Sequence, residues 1–403
     1  MAGSGRWRWR WRGSVALMGI ALSFGIYPLV IDKGTVINSD WPAFATGGRL
    51  IVEDPGHLYD LDAQRRVQVQ VTEGRTLVTP GINGILPFLA PAWVAFLVVP
   101  FELLGTDLGG RLWMLAGLAC LAIGLLLGGV RWPSKHQKMV VTITIAPNAP
   151  RRAFGSVLSG FGSVLSAFAS MPTALLLLNA QLDGFVALGI GAAVALWAQP
   201  FVAGLCLGLT LLKPQLVLPL GAALLLTRRW RVLAGWAIAG LVLLAASAAL
   251  NPRWVLEWLP ALGGTVKPVS REVDFPHLGT LLPEAYQGWA VVALSVLALA
   301  AVLLVARQCR SDFRAAAAVI VAGGVLVAPH ALPTDLVLVA VALAIWGQAR
   351  WPDWVVLSVG AAIAAFVPAP WPAAIGVLVV GWLCLRAAGL SGWRPGRAPA
   401  SAE

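Results

Sequence analysis

Charge is what this 403-residue chain has least of: Asp, Glu, Lys and Arg together make up 12%, against 59% hydrophobic residues. With a mean hydropathy of +0.80, that excludes an ordinary soluble domain. Cysteine is also sparse. Cys120, Cys206, Cys309 and Cys384 lie in or beside apolar runs with no paired spacing. This supports neither a disulfide framework nor a cysteine metal site, and makes each a small packing residue. No His-x-x-x-His pair accompanies the few histidines, so no zinc helix is expected. Alternating ten-residue strands are missing, which excludes a transmembrane β-barrel. What remains is a series of continuous Leu, Ala, Val and Gly runs of helical length, recurring up to residue 387. They predict an all-α polytopic membrane protein with roughly ten to twelve crossings at about twenty residues per span.

The net charge of +11 sits mostly in short connectors between apolar runs. That is positive-inside patterning, and no nucleic-acid partner is expected. The opening "RWRWRWRGSV" places residues 1–13 as a basic cytoplasmic N-terminus, with tryptophans at headgroup level. Ser14 to Ile31 reads as an uncleaved signal anchor, since no small-x-small cleavage site follows it. A single transmembrane domain over 14–387 is expected, with a first extracytoplasmic loop at 32–84, a second large outer loop at 251–288 and a cytoplasmic tail at 388–403. "TRRWRV", "RQCRSDFR" and Arg350 read as cytoplasmic; "PHALPTD" and "PAPWP" read as outer turns. Between Arg131 and Gln181 no single span fits, and two short or re-entrant segments restore the parity. There "FGSVLSG" is followed directly by "FGSVLSA", which sets Gly155, Ser159, Gly162 and Ser166 at spacings suited to close helix approach.

Ionisable groups at membrane depth are costly and point to function. Lys213, before the helix-breaking Pro214, reads either as a cation beside an anionic headgroup or as a lysine snorkelling to the surface. Gln181 and Asp183 interrupt another apolar run, with interhelical hydrogen bonding as the plainer role. His330 and Asp335 flank a proline-marked break, suited to acid-base chemistry, to holding a phosphate, or to a simple loop. Asp40 follows the first apolar run and precedes Trp41-Pro42, with Ala43, Ala45, Leu50 and Ile51 on one face of a short interfacial helix. A carboxylate fixed there is a good general base, though a solvated acidic loop has the same composition.

The pattern Asp40-Trp41, then Leu58-Tyr59-Asp60 and Gln64, resembles the integral-membrane glycosyltransferases of family 87, in the GT-C superfamily. "PFLAPAWVAFLVVPFELLG", "NAQLDGFVALGIG", the Lys-Pro segment at Lys213 and "APHALPTDLVL" are similar to its later landmarks, in order over residues 14–348. The chain departs at Ala90-Pro91-Ala92, at Ala180 where the family has glycine, and at Thr334 where it has an aromatic. The resemblance implies a GT-C-like fold with interfacial helices in the first outer loop. It implies inverting transfer of a sugar, commonly mannose, from a polyprenyl-phosphate donor to a lipid or glycan acceptor at the extracytoplasmic face of the cell membrane. Asp40 would be the base. His330, Lys213, Gln181, Asp335, Tyr59, Arg271 and Lys267 would bind substrate, Lys213, Lys267 or Arg271 offsetting charge on the departing phosphate. No cofactor and no metal is implied, and the partners are membrane lipids, the lipid-linked donor and the acceptor. A transporter and a noncatalytic assembly subunit remain the rival classes, although no internal inverted repeat is visible.

Overall fold

The computed structural model describes residues 36–75, 85–130, 160–262, 284–329, 331–367, 371–387 and 389. The anchor at 14–31, the start of the seven-residue repeat, Lys267, Arg271, His330, the "PAPWP" turn's first residues and nearly all of the tail lie outside them. The described chain is an all-α polytopic membrane fold. Three of its helices are long and apolar enough to cross a bilayer, and the pair Gly160–Phe168 and Met171–Leu178, bent by 46° at its break, makes a fourth if it counts as one span. Eight more are apolar but only 10–17 residues long. For five of these, Asp183–Ala195, Pro200–Leu212, Pro214–Leu226, Phe313–Val327 and Pro333–Trp346, the shortness has a common cause.

Helices α1 (Trp41–Glu53) and α2 (Leu61–Val71) come first, followed by α3 (Ala92–Glu102) and the long α4 (Thr106–Gly129). Then come α5 (Gly160–Phe168), α6 (Met171–Leu178) and α7 (Asp183–Ala195). Next are α8 (Pro200–Leu207), α9 (Leu218–Leu226), α10 (Trp230–Leu250) and α11 (Trp254–Pro260). The chain closes with α12 (Glu284–Gln308), α13 (Phe313–Val327), α14 (Val337–Trp346), α15 (Trp351–Phe366) and α16 (Trp371–Ala387).

Three hairpins organise this set: α5–α6 with α7, α8 with α9, and α13 with α14. Their open ends gather with the basic connectors. Arg314 at the start of α13 donates to the Gly128 carbonyl at the end of α4 and to the Ile345 carbonyl at the end of α14, at 2.9 and 3.1 Å. A guanidinium there satisfies carbonyls that a helix end leaves orphaned. Trp197, after α7, meets Phe313 in a tilted ring contact at 4.8 Å, and the Arg229 guanidinium lies 5.8 Å from its ring. The closed ends meet at the opposite side. Each hairpin turns where the sequence cannot continue a helix: Asn179 to Leu182, Lys213 between two 3-10 turns (Gly208–Leu212 and Pro214–Val217), and the segment before the 3-10 turn Pro333–Leu336. The 13 residues of α7 rise ~20 Å, short of the ~30 Å hydrocarbon core. The helices are short because they stop at a polar cluster inside the protein.

Backbone contact sets the spacing of α4 and α7. A Cβ on Gly184 or Gly191 would fall 2.0 Å from the carbonyl oxygen of Gly117 or Gly124 respectively, so only glycine permits this crossing. The expected small-residue stripe at Gly162 and Ser166 does otherwise. Among the described residues a Cβ added at Gly162 would meet nothing within 4 Å, and Ser166 Oγ bonds back to the Gly162 carbonyl at 2.8 Å. This helix buries Gly160, Ser163, Val164 and Ala167.

The segment expected as the first outer loop is helical and packed. Helix α1 forms where predicted, but Trp41 through Gly48, Leu50 and Ile51 are all buried. Protein covers it: α2, α3 and α4 pack around it, and the Arg49–Glu102 ion pair ties it to α3.

Candidate functional site

Asp40 occupies the N-cap of α1. Its backbone N–H donates to the Asn179 carbonyl at 3.3 Å, and one of its carboxylate oxygens accepts a hydrogen bond from Gln181 Nε2. Gln181 lies in the closed end between α6 and α7, so helix α1 and the first hairpin meet through these two polar contacts. Packing beneath it is aromatic. Trp113 on α4 has Trp41, Phe44, Phe101 and Phe185 around it, with ring centroids 5.0 to 6.1 Å away, and its indole N–H donates to the Ala180 carbonyl at 2.7 Å. Helices α1, α3, α4 and α7 thus all key on one indole, which fixes Asp40 relative to Gln181. Ala180 adopts φ +51, in the left-handed region where a Cβ is strained. That strain gives a physical reason for the glycine that the resemblance led us to expect at this position.

Two residues beyond Gln181, at the first turn of α7, stands Asp183. Its Oδ2 accepts from Lys213 Nζ at 2.8 Å, and the same ammonium donates to Asp335 Oδ1 at 2.5 Å. The three side chains come from the three closed ends. Residue exposures are 0% for Asp183, 8% for Lys213 and 2% for Asp335. Lys213 does not snorkel: it is enclosed, with a carboxylate on each side. Asp335 has a second task, since its Oδ2 accepts from the Leu332 N–H at 2.7 Å and holds the break in shape. Asp183 Oδ1 is buried and has no hydrogen-bond partner among the described residues. The cluster holds two carboxylates for one cation, so it carries no spare positive charge to offer an anion.

Tyr59 and Gln64 take structural positions. The Tyr59 hydroxyl donates to the Ala90 carbonyl at 2.9 Å while its ring stacks on Phe88 at 6.2 Å. Burial, with Glu257 adding to it, pushes the phenol's pKa well above its ordinary value. The fully buried Gln64 accepts from the Phe88 N–H at 2.8 Å and donates to the Leu58 and Phe88 carbonyls at 2.8 and 3.2 Å. One turn on, Gln68 does the same for Leu86, accepting at 2.8 Å and donating at 2.7 Å. Two amides four residues apart on α2 therefore pair with an extended segment as a neighbouring strand would. Asp60 caps α2 by accepting from the Ala63 N–H at 2.7 Å. Trp258 donates to the Leu89 carbonyl of the same segment at 2.9 Å, and Asn251 to the Pro55 carbonyl in the turn between α1 and α2 at 3.0 Å.

Of the residues expected in a site, the structure thus brings together Asp40 with Gln181, and Lys213 with Asp335. It sets Tyr59 against the 88–90 segment. His330, Lys267 and Arg271 fall outside the described residues. Asp183, read from the sequence as interhelical polar contact, belongs to the ion cluster; its signal was a charge at the first turn of an apolar helix. Among the described residues no group of three or more His, Cys, Asp or Glu side chains gathers as metal ligands.

No curated relative and no solved structure matches the chain. The sequence profile described as glycosyltransferase family 87 matches residues 88–333, more than half of the length, taking in Gln181, Asp183 and Lys213. Asp40 lies before that stretch and Asp335 just beyond it. With several apolar helices and this match, the chain belongs to glycosyltransferase family 87.

Proposed function

We propose that the protein transfers a sugar, mannose in the first instance, from a polyprenyl-phosphate donor to a lipid or glycan acceptor at the extracytoplasmic face of the cell membrane, inverting the anomeric centre. The observation that carries this reading is the Asp40 carboxylate, held by Gln181 beside three closed hairpin ends. A lipid-linked donor keeps its tail among apolar helices while phosphate and sugar reach such an internal polar cluster. In the step, Asp40 takes the proton of an acceptor hydroxyl, and the oxygen forms a bond to the anomeric carbon. The bond from that carbon to the phosphate oxygen breaks, and its electron pair leaves with the phosphate. The activated sugar is its own leaving-group carrier, so we assign no cofactor.

Lys213, balanced by Asp183 and Asp335, serves in this scheme to lock the closed ends and so to hold Gln181 against Asp40. Charge on the departing phosphate then falls to His330, Lys267 and Arg271, with Tyr59 shaping the outer wall. The test is transfer of radiolabelled mannose from polyprenyl-phosphate-mannose in membranes carrying wild type or Asp40→Asn at matched levels. Loss of activity by about 10²–10⁴-fold in the variant is expected for a general base. Equal transfer by both would remove Asp40 from the chemistry. No transfer by either, with any mannose donor, would favour a noncatalytic assembly subunit.

A further inference from the structure

A second feature lies at the open, basic end of the bundle. Between Trp197 and the start of α10 is a cavity of about 330 Å³ lined by Arg228, Arg229, Arg231 and Trp230 among others. All three arginines are exposed, and among the described residues none forms an ion pair with a carboxylate. Arg229 rests on the Trp197 face, and Arg228 holds a left-handed φ of +54, a strained backbone for a long side chain. Trp230 is also the wall of a second hollow, about 540 Å³ and almost wholly apolar. This runs past Leu225, Leu233 and Ala237 to Gly240. From Trp230 to Gly240 the helix rises ~15 Å, one leaflet of a ~30 Å hydrocarbon core.

The two hollows therefore share a tryptophan and differ in chemistry: three guanidinium groups with no carboxylate partner among the described residues at one end, and an apolar groove one leaflet deep leading away. We propose that together they bind one anionic phospholipid from the leaflet at the basic end, its phosphate among Arg228, Arg229 and Arg231 and an acyl chain along α10. Planar guanidinium groups suit phosphate oxygens, and Trp230 suits the boundary between headgroup and chain. The site is separate from the one at Asp40. Helix α10 is 21 residues long, about 31 Å, and its far end docks on the first outer segment through Asn251 and Pro55. The inference thus stands whether or not the transferase reading does.

Native mass spectrometry of the full chain in detergent tests it, titrating phosphatidylglycerol, phosphatidylcholine and inorganic phosphate. One phosphatidylglycerol should be retained at least 10-fold more tightly than phosphatidylcholine. Arg229→Gln/Arg231→Gln should bring the two lipids level. Ala237→Phe, at an exposed groove position that leaves the arginines in place, should weaken phosphatidylglycerol by a similar factor and decides the matter if the arginine variant does not fold. Equal retention of both lipids by the wild type, or a preference that survives the arginine changes, overturns the proposal. Competition by inorganic phosphate with Ala237→Phe having no effect would make this a free-phosphate site and overturn the lipid.

Discussion

Replacing Lys213 by methionine keeps the length and apolar stem of the side chain and removes only the ammonium. In the structure that ammonium stands 2.8 Å from Asp183 and 2.5 Å from Asp335, with the carboxylates 0% and 2% exposed. Its loss leaves two like charges in a place that water does not reach. Removing one partner of a buried ion pair costs about 3–5 kcal/mol, and the upper part of that range applies where two carboxylates lose the same cation. A thermal melt in detergent should fall by on the order of 5–10 °C. The companion double variant Lys213→Met/Asp183→Asn removes the excess charge and keeps Asp335, which still accepts from the Leu332 N–H. It should recover a substantial part of the loss, with a coupling of ~1–3 kcal/mol in the double-mutant cycle. If Lys213→Met melts within a degree of wild type, or the double variant is no better than the single one, the cluster does not hold the closed ends and the argument fails.

Three further outcomes follow from named contacts. Gln181→Leu removes the donor to Asp40, a hydrogen bond to a charged group worth about 1.5–3 kcal/mol, so kcat should drop ~10–100-fold with the KM for the lipid donor held; a change in KM alone would make Gln181 a substrate ligand instead. Gln64→Leu strands the Phe88 N–H and C=O and the Leu58 C=O and should cost about 2–4 kcal/mol in the same melt, whereas a neutral result would mean that the outer segment does not depend on this amide. His57 sits on the exposed turn with Nδ1 2.9 Å from each Asp54 oxygen, and the Asp54 hydrogen bond, then its charge, raise the imidazole's pKa above 6.5. Because the folded value is the higher one, the pairing stabilises fully below pH ~6.5 and is lost as pH rises through the folded pKa. A chemical-shift titration should show the raised midpoint, and Asp54→Asn should lower it; an unshifted wild-type midpoint sinks the pairing.

The amino-acid sequence by itself determined the solvent, the helical class and the places where helices must stop. Sparse charge and continuous apolar runs leave no other way to satisfy the backbone in a bilayer. Proline at 214 and 333, and the polar run at 179–183, mark the three breaks, because neither residue type continues an apolar helix. Lys213 and Asp335 stood out because a charge at depth needs a partner. Who the partner is was a tertiary matter. Asp183, Lys213 and Asp335 are separated by 30 and 122 residues, and Asp40 and Gln181 by 141, distances over which no periodicity speaks. The same holds for Tyr59 and Gln64. In three dimensions both bond to the backbone at 88–90, since a buried polar side chain bonds to whatever chain the fold lays beside it. Likewise α1 has the pattern of a surface helix, yet three neighbours bury it. Amphipathic spacing fixes which face seeks apolar cover, and only packing decides whether lipid or protein provides it.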